Sequence, residues 1–275
     1  MEDISCQVLV VGAGPGGYVA AIRAAQLGLD TVIVEGDKAG GTCLIRGCIP
    51  SKALIHAAER MDHLSQHMDG HMGMKIDGAV SLDMKELISW KDGIVTKLNK
   101  GVEHLLKNAG ARLVSGWATF KDAKHCTVET KEGPVNIEAE NVILATGSTP
   151  IELPFMKFDE EFICSSTGAL DLDTLPEKVA VIGGGYIGLE LGIALRRLGS
   201  EVTVIEGLSK VLAIFDDELR RPLTTWLRKN GVTTHVNCLA QGAEVKDGEV
   251  ILTWKDGGGE MQSEINLPIE AGDFK

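Results

Sequence analysis

No stretch of the 275 residues approaches the roughly 18 consecutive apolar residues that a bilayer-crossing helix needs. Positive charge is scarce: 27 Lys and Arg face 39 Asp and Glu, a net charge of −12. Such a chain is repelled by phosphate backbones, which argues against a nucleic-acid partner. The opening Met1-Glu2-Asp3 is acidic and runs into strand-like sequence, where a secretory leader would carry basic residues and an apolar core. The expectation is a cytoplasmic chain that engages neither nucleic acid nor membrane. The six cysteines are too few for a disulfide scaffold, and a buried thiol is the default for each. The sequence has no CxxC pair and no second Cys or His pair to complete a four-ligand zinc site. His63, His67 and His71 are spaced for one helical face, but Gly70 interrupts that helix and no carboxylate joins them, so no metal site is expected.

What the sequence has in quantity is apolar residues, 44%, enough for a proper core, and glycine, 33 residues, which cluster. The clusters belong to a repeat. VLVVGAGPGGYVAAIRAAQLGLDTVIVEG at 8–36 aligns without a gap on VAVIGGGYIGLELGIALRRLGSEVTVIEG at 179–207. Each copy reads as an apolar strand, a glycine turn, a helix of about three turns, a glycine stop and a second β-branched strand, a βαβ unit. The fold class expected is α/β, two tandem doubly wound Rossmann-like domains, with a β-meander inserted in the first. The meander is assigned to residues 111–147, whose apolar residues alternate and break. Before it, Asp83 and Glu86 have capping-box spacing, and a helix over 83–109 is expected to bury Leu87, Ile94, Leu98, Val102 and Leu105, with Gly110 as its stop. Residues 150–178 are proline-marked and aperiodic and are assigned to the interdomain connection. The tail after Gly257 is polar and shows no closing element.

Gly12-x-Gly14-x-x-Gly17 and Gly183-x-Gly185-x-x-Gly188 each follow a strand and open a helix. The first glycine makes the tight turn, the second lets backbone approach a pyrophosphate, and the third lets helix and strand pack closely. The helix N-terminus offers free N–H groups and the positive end of its dipole to phosphates. Each second strand ends in a carboxylate, Glu35 or Glu206, placed to accept from a ribose diol. Taken singly, such glycines also serve as packing residues in strand–helix turns of nucleotide-free proteins. Two copies with matching acids point to two bound dinucleotides. Glu206 repels a 2′-phosphate and Gly207-Leu208-Ser209 offers no arginine, which favours NAD over NADP, with Lys210 the one cation close by.

Cys43 and Cys48 lie in GGTCLIRGCIPSK, residues 40–52. They read either as a small-ring disulfide closed by a turn at Gly47 or as two unrelated buried thiols. Pro50 suits the first turn of a helix through Ser51-Lys52, which places Cys48 near a helix start, where a thiolate is stabilised. The remaining cysteines, Cys6, Cys126, Cys164 and Cys238, are isolated and read as structural.

GAGPGG, GGTC followed by GCIPSK, LATGS at 144–148 and GGGYIGLELG with a strand ending in Glu together resemble the flavin-dependent pyridine nucleotide-disulfide oxidoreductases, and within them the dihydrolipoyl dehydrogenase group. The resemblance implies that Gly12, Gly14, Gly17 and Glu35 hold the ADP half of FAD. It also implies that Gly41, Thr42, Lys52, Gly116, Thr146 and Gly147 line the rest of it. Gly183, Gly185, Tyr186, Ile187, Gly188 and Glu206 would hold NAD. Cys43 and Cys48 would be the redox disulfide, with Cys43 the more exposed sulfur and attacked by substrate, and Lys52 would pair with Glu190 beside the flavin. The implied domains are 1–150 for FAD, with its return segment missing, and 151–275 for NAD, incomplete at its end. The implied partner is the lipoyl domain of a 2-oxo acid dehydrogenase complex, and the full-length family forms homodimers. A non-catalytic truncated fragment, or a related reductase such as mercuric reductase, are the competing readings.

Three departures stand against that pattern. Leu44-Ile45-Arg46 fills the space where the family usually has Asn. Ala271-Gly272-Asp273 contains a Gly-Asp pair, but no apolar strand is evident before it, so it reads as coincidence. None of His56, His63, His67, His71, His104, His125 and His235 sits in an HPT-x-x-E context, so a general base is missing and the chain reads as truncated before the interface domain. These 275 residues alone are therefore expected to oxidise dihydrolipoamide slowly, since losing a general base costs about 10²–10⁴ in rate. Full NADH production would reject that expectation.

Overall fold

The structure, a computed structural model, describes residues 2–68, 70–246, 249–265 and 269–271. Along the chain run β1 (Glu2–Val11), α1 (Pro15–Gln26), β2 (Thr31–Glu35), α2 (Gly41–Arg46), α3 (Cys48–Met68) and α4 (Met84–Ala109). Then follow β3 (Arg112–Ser115), β4 (Trp117–Phe120), β5 (His125–Thr130), β6 (Gly133–Leu144), β7 (Ile163–Ser165) and α5 (Ser166–Ala169). The remainder is β8 (Lys178–Ile182), α6 (Tyr186–Leu198), β9 (Glu201–Glu206), α7 (Asp217–Lys229), β10 (Thr233–Val236), β11 (Leu239–Lys246), β12 (Glu249–Lys255), β13 (Met261–Ile265) and β14 (Ile269–Ala271). Two compact units divide it: Met1–Pro50 with Asp92–Ser148, and Ser51–Lys91 with Thr149–Lys275. The partition differs from a single cut at 150, because residues 51–91 pack with the second unit.

The first unit is built on one sheet in the order β3-β2-β1-β6-β5-β4. β1 runs parallel to β2 and β6, and β2 parallel to β3, while β4, β5 and β6 form an antiparallel meander continuous with the sheet. The end of β1, residues 8–11, is buried on both faces, which is why it reads as an unbroken apolar run. Val8 and Val10 pack with Ile33, Ala21, Val102 and Leu106. Leu9 and Val11 pack on the other face with Val32, Val34, Val128 and Ile137. α4 begins as expected, with the Glu86 N–H donating to Asp83 Oδ1 at 3.0 Å. Its buried stripe is only partly the expected one: Val102 is buried and Leu87 packs in a core cluster as expected, but Leu98 and Leu105 are exposed, whereas Leu106 is buried and Val95 packs beside it. Two apolar stripes of equal spacing run along this helix, and tertiary packing alone selects between them.

The second unit has an all-parallel sheet, β10-β9-β8-β14-β7, and a separate antiparallel sheet, β11-β12-β13. On one side of β8 and β9, α6 packs Leu189 and Leu195 onto Val179, Val181, Val202 and Val204. α3 joins here through Leu54 and Ala58, which cluster with Leu191, Ala194 and Leu198 of α6. Lys91, in the first turns of α4, is 3% exposed and donates from Nζ to the Leu170 carbonyl at 2.8 Å and to Asp171. Two expectations are corrected. Residues 150–178 are not a bare connection, since they contain β7 and α5, and three-residue β7 is too short to show a period. The tail is not without a closing element: β13 extends the small sheet and β14 inserts between β8 and β7. A strand thus does precede Gly272-Asp273, a pair that itself lies outside the described residues.

Candidate functional site

The two glycine turns repeat in space as they do in sequence. Gly12 and Gly183 both adopt left-handed φ, +98° and +105°, which disfavours a side chain at either. Their N–H groups donate to Val34 O at 2.8 Å and to Ile205 O at 2.9 Å, tying each turn to the neighbouring strand. Gly14 and Gly185 are the N-caps of α1 and α6, both extended, with no side-chain cap and no acid in the first turn. In α1 the first residue is Pro15, which carries no N–H of its own. α4 and α7 contrast with them: Asp83 caps the first and Asp217 and Glu218 begin the second.

Each acid is clamped by backbone. Glu35 accepts from Ala13 N at 2.7 Å and Asp37 N at 2.9 Å. Glu206 accepts from Gly184 N at 2.6 Å and Leu208 N at 2.7 Å. An ionised carboxylate has about four acceptor positions, of which backbone donors take two in each acid.

In the first unit the other candidates gather at the carboxyl ends of the parallel strands, where open α/β sheets bind ligands. Gly41 lies against the first turn: a Cβ there would stand 2.4 Å from Gly14 Cα. Gly40 N donates to Ala13 O at 2.8 Å, which seats α2, with Thr42, on that turn. Gly116 N donates to Glu35 O at 2.8 Å. Ala145 N donates to Val11 O at 2.8 Å, which brings Thr146 and Gly147 beside Gly12.

Cys43 lies within α2 and Cys48 opens α3, with Gly47 between the two helices. The helix start at Cys48 agrees with the sequence reading. The exposure order does not: Cys48 is exposed and Cys43 only half-buried, because Cys43 sits inside a helical turn flanked by buried Leu44. Arg46, between them, pairs with Asp37, whose own N–H holds Glu35. Asp37 was not singled out by sequence, although it stands two residues after the acid that was. Burial pushes the Cys6 thiol up to about 11 and raises that of Cys126, as suits core thiols.

In the second unit Lys52 Nζ donates to both oxygens of Glu190, at 2.8 and 2.7 Å. Tyr186, the first residue of α6, is exposed, with Ile187 and buried Gly188 behind it. α3 ends at Met68, so His71 leaves the line of His63 and His67. Among the described residues no group of three or more His, Cys, Asp or Glu is arranged to hold a metal, and no helix is long and apolar enough to cross a membrane.

Two glycine turns with clamped acids and a cysteine pair beside the first define a protein of two Rossmann-like units. The family pattern described as pyridine nucleotide-disulphide oxidoreductase matches residues 6–266, and the chain belongs to that family. Its cofactor classes are a flavin and a pyridine nucleotide. The chain is 44% identical over 252 residues to dihydrolipoyl dehydrogenase 3 of Haloarcula marismortui, covering 90% of this chain and 52% of that protein. It is 46% identical over 255 residues to dihydrolipoyl dehydrogenase of Geobacillus stearothermophilus, covering 93% and 53%. It thus spans about half the length of the curated relatives it matches. Among solved structures it superposes on LpdA from Mycobacterium tuberculosis with a TM-score of 0.87 at 24% identity, over 96% of this chain and 58% of that one.

Proposed function

We infer that the chain carries the electron path of a dihydrolipoyl dehydrogenase. The first unit holds FAD through Gly12, Gly14, Gly17 and Glu35, and the second holds NAD through Gly183, Gly185, Gly188 and Glu206. The observation that carries this reading is the duplicated turn: two uncapped helix N-termini, each with a backbone-clamped carboxylate. FAD, when bound, supplies a two-electron acceptor that passes hydride to NAD+.

The chain's own part is thiol chemistry. A dihydrolipoyl thiolate attacks the Cys43 sulfur of a Cys43–Cys48 disulfide, that bond breaks, and Cys48 leaves as a thiolate. The second substrate thiolate then attacks the mixed disulfide, closes the lipoyl ring and releases Cys43. Two electrons now reside on the cysteine pair. Lys52 lies one turn beyond Cys48 on α3, and Glu190 fixes where its charge sits. In this reading the partner is a lipoyl domain of a 2-oxo acid dehydrogenase complex, the working form is a homodimer and the compartment is the cytoplasm.

An absorbance scan tests it. Purified chain supplied with FAD is expected to show a flavin spectrum and a long-wavelength band on two-electron reduction. A colourless, aggregating product would overturn the assignment.

A further inference from the structure

The loop after Glu206 turns back onto the second glycine turn. Leu208 N donates to Glu206 Oε1 at 2.7 Å, and Leu212 N donates to Gly184 O at 2.8 Å. Val211 lies against Gly184, where an added Cβ would stand 2.7 Å from its Cγ1. Lys210 therefore leaves the loop between two points that are both anchored to the acid and its turn. It is the cation that a phosphorylated ribose would recruit at this place, as a nearby arginine accommodates the 2′-phosphate in Rossmann-type NADP sites.

Lys210 is already engaged. Its Nζ donates to Asp217 Oδ1 at 2.9 Å, and Arg220 donates to the same oxygen. Arg220 is largely buried, and its Nη1 also reaches the Val211 carbonyl at 3.4 Å. Asp217 thus gathers both cations of this corner, one from the loop and one from beneath it. The two cations hold its carboxyl down at about 2, so it stays ionised throughout the working pH range.

We propose that Asp217 is a specificity-determining residue that excludes 2′-phosphorylated nucleotides by holding Lys210 and Arg220 away from the ribose edge. The proposal rests on the reading of the second unit as an NAD site. Glu206 acts on the ribose directly, by accepting from the diol and repelling a phosphate. Asp217 acts through Lys210 and withholds the counter-charge that a phosphate would need. Removing the two acids therefore has separate consequences: loss of Glu206 weakens NAD, whereas loss of Asp217 leaves NAD alone and admits the phosphate.

Equilibrium titration of the full chain by calorimetry at low salt separates the outcomes, with NAD+ and 2′,5′-ADP as probes. Asp217→Asn is expected to tighten 2′,5′-ADP about fivefold, the upper end of what an exposed ion pair governs, with NAD+ unchanged. The gain is expected to vanish in Asp217→Asn/Lys210→Met and to fade at high salt. Glu218→Gln removes one negative charge from the adjacent position and is expected to produce no gain. If NAD+ binds but 2′,5′-ADP does not tighten in Asp217→Asn, or if Glu218→Gln tightens it equally, the role of Asp217 is overturned and the NAD reading stands. If the unaltered chain does not bind NAD+, that reading falls and the proposal falls with it.

Discussion

Cys48→Ser is expected to leave flavin binding intact and to lower dithiol-dependent NADH production by on the order of 10⁶-fold, the scale on which removal of a single catalytic nucleophile registers. Most of the flavin contacts assigned to the chain come from the first glycine turn, Glu35, Gly41 and the 145–147 segment, and a serine at 48 keeps the shape of the side chain it replaces. With serine at 48 a substrate thiolate has no disulfide to open, so no mixed disulfide forms and no electron pair is stored. Cys43→Ser is expected to be equally inactive, yet the two variants differ in colour. In Cys43→Ser the remaining sulfur is the one assigned to the flavin side, so the long-wavelength band persists; in Cys48→Ser it is lost. The pair of variants also decides a point that exposure of the bare chain argues the other way, because Cys48 rather than Cys43 is the more open sulfur. A band retained in Cys48→Ser and lost in Cys43→Ser would exchange the two roles. Undiminished turnover in either variant would end the redox-pair assignment altogether.

The parts of this molecule that could be read from sequence are those governed by local backbone geometry. A glycine at left-handed φ, a helix opening three residues later and an acid at the end of the next strand have fixed spacing, so the two βαβ units and their acids stand out in a string of letters. The start of α4 was legible for the same reason, since Asp83 and Glu86 form their cap within one turn. What escaped depends on partners distant in the chain. Nothing local tells α3 to join the second unit; that follows from Leu54 and Ala58 meeting Leu191, Ala194 and Leu198 about 140 residues on. Lys91 reads as a surface residue in any helical wheel, and its burial follows from a carbonyl and a carboxylate supplied by 170–171. β7 and β14 are three residues each, shorter than any periodicity. Lys210 was visible as a cation near Glu206, but its engagement by Asp217 was not, because six residues of loop separate them.

The duplicated turn gives the second large expected effect, and its two copies serve as controls for each other. Gly17→Ala places a methyl 1.8 Å from the Gly12 carbonyl oxygen and 3.2 Å from Ala145 Cβ. Neither Gly12 nor Ala145 can yield easily, because Gly12 N is held by Val34 O and Ala145 N by Val11 O. The helix must therefore move off the strand. Overpacking of this kind costs about 1–3 kcal/mol, and a contact this short against backbone belongs at or above the top of that range. At about 2–4 °C per kcal/mol for a protein of this size, the expected loss is roughly 6–12 °C in Tm. Because the same movement withdraws the helix N-terminus from the pyrophosphate position, bound flavin is expected to fall with it. Gly188→Ala is the matched test in the second copy. There the methyl would stand 2.7 Å from Gly183 O and 2.7 Å from Val181 Cγ1, one of which is a side chain with room to turn. The expected cost is smaller, about 1–2 kcal/mol, and the affinity affected is that for NAD+ rather than flavin. Thermal melts read beside flavin stoichiometry and NAD+ titration check both arms. Equal Tm losses in the two variants would overturn the packing argument, and flavin loss from Gly188→Ala with none from Gly17→Ala would exchange the cofactors proposed for the two copies.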